Sequence, residues 1–228
     1  MEEQISCLTE TKTLFHYDEN YFNNNLSNGW YRKYIEKVRN PFIKRQINQY
    51  RQAGNFLEIG FGHDNLLQLF SKEFEIFGAD VSDYAVAKIS KQFDKPENFK
   101  LCDIAQDMIP FSQKFDVICA INTIEHLANP EFAIQNIYNS MNPNGILLVQ
   151  LPTQSNLFSR IQYKIFYASS EHIYRPSVKS LTERFFEVGL KKLKQCIPTF
   201  LPFQVGNQFL VESFNLYSAI FQKPEPKT

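Results

Sequence analysis

The chain has 228 residues, and its 24 basic and 24 acidic side chains give a formal net charge of zero. This length suits one sizeable hydrophobic core, and the balanced charge gives no electrostatic argument for a nucleic acid or an anionic membrane as partner. The four cysteines form no CxxC pair, and the first residues lack the features of a signal peptide. We therefore expect a reduced, cytoplasmic protein.

The first fifty residues are rich in aromatic side chains and predict a helical cap before the main domain. Apolar residues at 31, 34, 35 and 38 have helical spacing. Asn40 and Pro41 suit the cap and the first turn of a second helix. Two roles stay open for this region: a scaffold, or one wall of a ligand pocket.

A strand, a glycine turn and a helix follow one another near residue 60. The apolar run at 56–59 predicts a short buried strand, Gly60 and Gly62 predict a sharp turn, and apolar residues from Leu66 onward suit a helix. This order is typical of a nucleotide-type α/β fold, in which the ligand lies at the carboxyl end of the strand.

Strands and helices alternate through the rest of the central region, which predicts a parallel sheet with helices on both faces. Ser82 and Asn129 are the expected caps of two of these helices. The later part of the chain predicts helices at 155–167, 180–188 and 205–214. The expected strands lie at 74–80, 98–103, 115–121, 146–151, 190–197 and 216–221.

The glycine turn lacks the residues that bind phosphate. A dinucleotide fingerprint would need a third glycine where Asn65 stands, and there is no Gly-Lys-Ser/Thr sequence of a P-loop. No lysine or arginine lies between Gly60 and Phe70, and Asp64 would repel a phosphate. These absences favour a cofactor that is not anionic at this point, and they disfavour an NAD-dependent oxidoreductase.

Four sequence blocks then carry a specific resemblance. They are LEIGFG at 57–62, GADVS at 78–82, FDVI at 115–118 with EHL at 125–127, and NPNGILLV at 142–149. With these blocks the chain resembles the class I S-adenosylmethionine-dependent methyltransferases, especially the small-molecule branch that includes ubiquinone-biosynthesis O-methyltransferases. The resemblance implies a Rossmann-like, seven-stranded, mostly parallel sheet whose last strand is antiparallel.

The resemblance also implies a domain organisation and a set of cofactor residues. The methyltransferase domain would span 51–223, with 153–176 as a lid or substrate insert, between the cap at 1–50 and a tail at 224–228. S-adenosyl-L-methionine would be the cofactor and S-adenosyl-L-homocysteine its product. The residues expected to bind it are Glu58, Gly60, Gly62, Asp80, Val81, Asp103, Ile104 and Asn122.

Each of these residues has a chemical reason for its expected role. The two glycines would let the backbone approach the methionine portion, and Glu58 would help to fix the loop and the ammonium group. Asp80 would accept hydrogen bonds from both ribose hydroxyls. Asp103 and Ile104 would flank the adenine, although Asp103 could instead only cap a turn. Asn122 would lie beside the methyl-bearing end.

The chain departs from the family pattern at two positions. Asp64 stands where a third glycine is common; it could cap the following helix or also face the positively charged cofactor. Some quinone O-methyltransferases have a Glu-x-x-Glu-His block that is associated with a divalent metal. Here Asn122 replaces the first glutamate of that block, and we expect no metal.

Methyl transfer to oxygen or nitrogen often needs a base with a pKa near neutrality, which favours histidine. His126 follows Glu125 just after the fourth strand, and His172 lies after the fifth. We expect His172, His126 and Glu125 to be catalytic, with His172 preferred as the base. The alternatives are a Glu125–His126 pair that only holds the loop, and catalysis by proximity alone.

The expected methyl acceptor is a small, apolar or aromatic metabolite, because the predicted pocket is rich in aromatic residues. Its walls would come from the cap and from the segment at 157–174. The helical face at 157–165 could instead bind a membrane surface, but its only cations are Arg160 and Lys164, and we expect it to pack as a lid. The predicted substrate-binding residues are Tyr17, Tyr21, Trp30, Phe158 and Tyr174.

The sequence thus predicts a methyltransferase that acts on an oxygen or nitrogen of a small molecule, not on a nucleic acid, and without stable insertion into a membrane. Peripheral membrane contact stays open. The alternative is a non-catalytic protein of the same fold that binds S-adenosylmethionine or S-adenosylhomocysteine.

Overall fold

A computed structural model of the chain describes residues 17–26, 35–62, 66–166, 170–197, 203–204, 212 and 216–226. Its strands are β1 (Gly54–Ile59), β2 (Phe74–Asp80), β3 (Phe99–Leu101), β4 (Phe115–Ile121), β5 (Met141–Pro152), β6 (Lys191–Ile197), β7 (Phe203–Gln204) and β8 (Leu216–Gln222). Its α-helices are α1 (Glu19–Leu26), α2 (Asn40–Ile47), α3 (Leu66–Phe70), α4 (Asp83–Ile89), α5 (Pro130–Ser140), α6 (Leu157–Phe166) and α7 (Val178–Glu187).

The strands form one sheet in the order β3-β2-β1-β4-β5-β8-β6-β7. Strands β1 to β5 pair in parallel, whereas β8 is antiparallel to both of its neighbours, β5 and β6. The predicted Rossmann-like sheet with an antiparallel last strand is confirmed. The two-residue strand β7 adds a short antiparallel edge beside β6.

Two hydrophobic cores cover the two faces of the sheet. One core joins alternate residues of the central strands to α5 and α7, and it contains the fully buried Phe115, Phe185 and Tyr217. The other joins the remaining strand residues to α2, α3 and α4, and it contains Phe56 and Phe70, whose rings stack at 4.5 Å. Because both faces are covered, the parallel strands are apolar along nearly their whole length.

Polar side chains fix the starts of three helices on this scaffold. The Ser82 hydroxyl accepts the Ala85 N–H at 3.1 Å at the start of α4. Asn129 Oδ1 accepts the Phe132 N–H at 3.1 Å at the start of α5, as the sequence predicts. Ser177 does the same for α7. Such caps satisfy backbone donors that have no partner within the helix.

The predicted cap at Asn40 is wrong. A π-helical turn at Ile35–Arg39 runs directly into α2, so the backbone at Arg39 is already helical and Asn40 is the first residue of α2. Asn40 Oδ1 accepts hydrogen bonds from the Arg39 guanidinium at 2.8 and 2.9 Å instead. The Asn40 side chain therefore pairs with the Arg39 side chain and does not cap α2.

Strand β5 begins earlier than the sequence predicts. The residues at 142–145, expected as a turn, lie within β5, and the pairing register with β4 shifts between Phe115 and Val117. Asn144 has the left-handed φ of 61° that is typical of a turn residue, so the predicted turn is present as an irregularity within the strand.

Some predictions fall outside the described residues. These are the helix at 205–214, apart from residue 212, and the roles of Trp30 and Asp64. No helix in the described part of the chain combines the length and the apolar character needed to cross a membrane.

Candidate active site

The loop after β1 is tied to the end of β2 by hydrogen bonds to a single carboxylate. Gly60 and Gly62 both have left-handed φ angles, of 67° and 51°. The Gly62 N–H donates to Asp80 Oδ2 at 2.9 Å, and the Ser82 N–H donates to Asp80 Oδ1 at 2.8 Å. The carboxyl ends of β1 and β2 are thereby held in one geometry, as expected for a ligand site at a parallel sheet.

Gly60 is required by the protein's own packing. A Cβ at this position would lie 2.5 Å from Thr123 Oγ1 and 2.7 Å from Thr123 Cγ2. The Thr123 hydroxyl in turn lies 3.0 Å from the Ile59 carbonyl, to which it donates. The sequence predicted close approach of a cofactor as the reason for this glycine. In the structure, the loop after β4 already fills that space.

Burial raises the pKa of Asp80 to about 6, although the backbone N–H groups that donate to it act in the opposite direction. The side chain is 6% exposed. Each carboxylate oxygen has two lone pairs, and one of these accepts a backbone N–H. The remaining lone pairs can accept two further donors, which fits the two hydroxyls of a ribose.

The other predicted cofactor residues lie near this carboxylate but differ in exposure. Glu58 is buried at the end of β1, and Val81 is half-buried. Ile104 is buried within the core, 3% exposed. Asp103 is half-buried and holds its own turn, because its side chain accepts the Ala105 N–H at 3.0 Å. Asp103 therefore caps a turn, which was the alternative interpretation of the sequence.

The described start of the chain crosses the same end of the sheet. The Ser82 hydroxyl donates to the Tyr17 carbonyl at 2.5 Å, and the Tyr17 hydroxyl lies 3.4 Å from His126 Nδ1. The Tyr17 ring contacts the Tyr21 ring edge-on at 4.9 Å. Burial raises the pKa of Tyr17, and the carboxylates of Glu171 and Asp80 raise it further. Tyr17 thus lies between the loops that follow β2 and β4.

Glu125 is the most unusual charged residue of the site. It lies in a 3₁₀ turn directly after β4 and is 1% exposed. Neither of its carboxyl oxygens has a hydrogen-bond partner among the described residues. Burial raises the pKa of Glu125 to about 8. A buried carboxyl group without partners is costly, so Glu125 is a candidate for a functional role and not for a stabilising one.

Two histidines that are distant in sequence meet at Glu125. The rings of His126 and His172 lie 4.8 Å apart, and potential ligand atoms of all three side chains lie within 4.8 Å of one another. Burial lowers the pKa of His126, while its contact with the Glu171 backbone acts in the opposite direction. His172 Nδ1 lies 2.8 Å from the Tyr163 hydroxyl. The three predicted catalytic residues therefore form one cluster.

The same cluster has the composition of a small metal-ligand set, since two imidazoles and a carboxylate are common ligands of divalent ions. We predicted no metal because Asn122 stands where the family block has its first glutamate, and this stays a prediction. His172 completes this set of three potential ligands, which spacing along the chain did not reveal.

Further buried polar atoms without partners lie at the ends of β4 and β5. Within the described part of the chain they include Asn122 Oδ1, Gln150 Oε1 and Thr153 Oγ1. Asn122 also has a left-handed φ of 50°, and its N–H donates to the Gln150 carbonyl at 2.7 Å. Strain and unpaired polar groups together are typical of a functional site. Sequence analysis missed Gln150 and Thr153; the available signal was a polar residue at the end of an apolar strand.

The structure places the predicted substrate residues Phe158 and Tyr174 in different surroundings. Phe158 is 61% exposed on the outer side of α6. The Tyr174 N–H donates to the Glu125 carbonyl at 2.9 Å, while its ring packs beneath the Arg184 guanidinium at 5.7 Å. Tyr174 therefore positions the turn that holds Glu125 through its backbone.

The expected burial of the α6 face as a lid is also wrong. Ser159 and Tyr163 take the inner side of α6 and are buried, which turns Leu157, Ile161 and Ile165 outward; these three side chains are 49% to 75% exposed. Ser159 is fixed there because its hydroxyl oxygen accepts the N–H groups of Ser155 and Asn156.

Comparison with known proteins identifies the family. Residues 31–195 match a family model described as a methyltransferase domain. The chain belongs to the methyltransferase-domain family. The methyltransferase family that the sequence blocks predict is thereby confirmed.

Individual relatives of this methyltransferase are distant. Juvenile hormone acid O-methyltransferase of Drosophila melanogaster is 30% identical over 108 residues, which cover 42% of this chain and 36% of that protein. The matched region thus spans about a third of the relative's length.

Solved structures share the fold at low sequence identity. A methyltransferase in complex with the Trm112 activator of Haloferax volcanii has a TM-score of 0.66 and 16% identity, over 90% of this chain and 98% of that chain. N-methyltransferase NodS of Bradyrhizobium japonicum, in complex with S-adenosyl-L-homocysteine, has a TM-score of 0.62 and 16% identity over the same shares. These likenesses concern the fold alone.

We predict that Gly60→Ala lowers the free energy of unfolding by ~2 kcal/mol, because it combines a left-handed φ with a collision against Thr123. Chemical denaturation measures this loss. Thr123→Ala serves as the second change of a double-mutant cycle, and the double variant should lose less than the sum of the two single losses. Strict additivity would contradict the proposed collision.

Glu125→Gln tests the raised pKa of this buried carboxyl group. Its pKa is higher in the folded than in the unfolded protein, so the folded state binds more protons and stability falls as the pH rises between these values. Asp80 acts in the same direction up to about pH 6. Between pH 6 and 8 the free energy of unfolding should therefore fall more steeply in the wild type than in the variant, by up to about 1.4 kcal/mol per pH unit.

Denaturation curves at several pH values measure this difference. Glu97→Gln, at an exposed position, is the matched control and should follow the wild type. Equal pH slopes for the wild type and Glu125→Gln would show that Glu125 does not carry the proton.

Proposed function

We propose that this methyltransferase transfers a methyl group to an oxygen or nitrogen of a small, apolar or aromatic metabolite. The observation that carries the proposal is the cluster of Glu125, His126 and His172 at the carboxyl end of β4. The cluster combines a buried carboxyl group of pKa about 8 with two imidazoles. Groups that exchange a proton near neutral pH are those that acceptor activation requires.

The end of the sheet offers groups that fit the cofactor. Asp80 would hold the two ribose hydroxyls with its remaining lone pairs, in a charge-assisted pairing. Glu58 and the two glycines would line the methionine portion, and Asn122 would meet its methyl-bearing end. Asp103 and Ile104 would flank the adenine. When bound, S-adenosylmethionine supplies an electrophilic methyl group on its sulfonium.

His126 is the better candidate for the base. Its Nδ1 lies 3.1 Å from the Glu171 backbone carbonyl, and a carbonyl can only accept. Nδ1 therefore carries the hydrogen, and the lone pair of a neutral imidazole is on Nε2. Burial keeps the ring neutral by lowering its pKa. The Nδ1 atom of His172, which the sequence favoured, faces the Tyr163 hydroxyl, which can either donate or accept.

Glu125 would act together with His126. A proton taken from the acceptor would charge the imidazole, and the ionised form of Glu125 would stabilise that charge. Tyr17, whose hydroxyl lies near His126, would cover the site. Burial raises the pKa of Tyr17, so its hydroxyl stays neutral. Exclusion of water by such aromatic side chains strengthens these electrostatic interactions.

An oxygen acceptor is favoured over a nitrogen. The Drosophila relative is named as an O-methyltransferase of an acid, and its matched region is more similar than the solved structures. Because the match spans about a third of that protein, the proposal extends only to the class of an apolar carboxylic acid or phenol.

A non-catalytic protein that binds S-adenosylmethionine or S-adenosylhomocysteine is the second candidate. The buried polar atoms without partners would then bind a ligand without turnover. A screen with isotope-labelled methyl donor against apolar acids, phenols and amines separates the two, because only an enzyme transfers label. Binding of S-adenosylhomocysteine without transfer to any acceptor would favour the second candidate.

We predict that Asp80→Asn weakens the binding of S-adenosylhomocysteine at least ~10-fold, since it removes a charge-assisted acceptor of the ribose hydroxyls. Isothermal titration calorimetry measures the affinity. Asp83→Asn, which changes an exposed aspartate at the start of α4, is the control and should keep the wild-type affinity. Equal affinities in all three proteins would remove Asp80 from the site.

His126→Asn should lower kcat at least ~100-fold on an acceptor found in the screen, with little change in the affinity for S-adenosylhomocysteine, because only proton transfer is lost. His172→Asn is the matched change and should have the smaller effect on kcat. The pH profile of kcat should rise with the deprotonation of the base. If both variants keep the wild-type kcat, alignment of the reactants alone is the mechanism.

A further inference from the structure

The outer face of α6 is an exposed apolar surface. Leu157, Phe158, Ile161 and Ile165 are 75%, 61%, 49% and 67% exposed. They follow one another at helical spacing, so they form one continuous stripe. Contiguous exposed apolar side chains of this kind mark a surface that is covered by a partner.

Cations flank this apolar stripe. Arg160 and Lys164 lie one turn apart on α6 and are exposed, and Arg175 faces them across a hollow. The hollow is lined by Gln154, Leu157, Arg160, Ile161, Lys164 and Arg175. The sequence contains no acidic residue between Glu131 and Glu171. In a chain of zero net charge, this face is therefore locally positive.

The orientation of α6 is fixed by its inner side. Ser159 is buried, and Asn156 Oδ1 accepts its N–H at 3.0 Å at the start of α6. Tyr163 is 2% exposed and its hydroxyl reaches His172. These contacts hold the polar and aromatic residues inward, so the apolar stripe cannot turn into the core without breaking them.

We propose that the face formed by Leu157, Phe158, Ile161, Ile165, Arg160 and Lys164, together with Arg175, docks on an anionic membrane surface. The four apolar side chains would enter the boundary between head groups and acyl chains, while the cations pair with lipid phosphates. The ten-residue helix, ~15 Å long, would lie in the plane of the interface, since it is too short to span a bilayer.

Charge complementarity favours a membrane over a second copy of this chain and over a different partner protein. A second copy, docked through the same face, would bring Arg160 and Lys164 close to their own counterparts. The centre of a protein–protein interface is usually depleted of lysine, whereas lysine and arginine beside an apolar stripe are typical of helices that bind anionic lipids.

Docking would also place the site next to the lipid. Tyr163 links the inner side of α6 to His172, so the membrane would lie on one side of the helix and the histidine on the other. An apolar acceptor dissolved in the bilayer would then have a short path to the site. This last step rests on the proposed function, whereas the lipid binding does not.

Vesicle flotation with the full chain tests the proposal. Binding to vesicles of phosphatidylcholine mixed with phosphatidylglycerol should be at least ~10-fold stronger than to phosphatidylcholine alone, and added salt should weaken it. The charge-reversed variant Arg160→Glu/Lys164→Glu should bind the mixed vesicles at least ~10-fold more weakly, because about 1 kcal/mol is lost with each cation removed.

Apolar variants complete the test. Phe158→Asn/Ile165→Asn should also lose vesicle binding, while Met108→Asn is the matched control at a residue that is 59% exposed elsewhere. Thermal unfolding should be unchanged in all variants, because only exposed side chains are altered. Equal binding to both kinds of vesicle, or undiminished binding of both α6 variants, overturns the proposal.

Gel filtration at several protein concentrations tests whether a second copy of the chain binds this face. Self-association that disappears in Phe158→Asn/Ile165→Asn, without vesicle binding by the wild type, would assign the face to a dimer and overturn the membrane proposal. Because S-adenosylhomocysteine binding is measured separately, failure here leaves the proposed methyl transfer intact.

Discussion

The carboxylate of Asp80 joins the two loops on which the site depends. It accepts the N–H of Gly62 from the loop after β1 and the N–H of Ser82 from the start of α4. Ser82 in turn caps α4 and donates to the Tyr17 carbonyl. One buried acidic group therefore fixes the glycine loop and the first turn of α4, and through Ser82 it also fixes the chain at Tyr17. Lone pairs remain on this carboxylate for a ligand.

The second constraint is the placement of costly groups at the end of β4. Asn122 has a left-handed φ, Glu125 is buried with no hydrogen-bond partner for its carboxyl oxygens in the described structure, and burial lowers the pKa of His126. Each of these features opposes stability, and all lie within five residues of chain. Folding tolerates them because two large cores pack the sheet on both faces. The stable sheet thus supports a small loop of strained and buried polar groups.

Helix α6 connects this loop to the outside of the molecule. Its inner residue Tyr163 reaches His172, and its outer residues form the apolar stripe flanked by cations. The opposite sides of one short helix therefore take part in the site and in the proposed lipid contact.

The sequence by itself determined the order of the strands and helices, because apolar periodicity is a local property of the chain. Its short motifs carried the resemblance that implied the family and the antiparallel last strand. It also identified Glu125, His126 and His172 as separate candidates. Only the tertiary structure decided that these three meet, since 46 residues separate the two histidines and their approach depends on the packing of the segment after α6. Packing likewise decided that the side chain of Thr123 fills the space beside Gly60, that Gln150 and Thr153 bury polar oxygens without partners in the described structure, and that the α6 stripe faces outward. Periodicity shows that a helix has an apolar side, but not what will cover it.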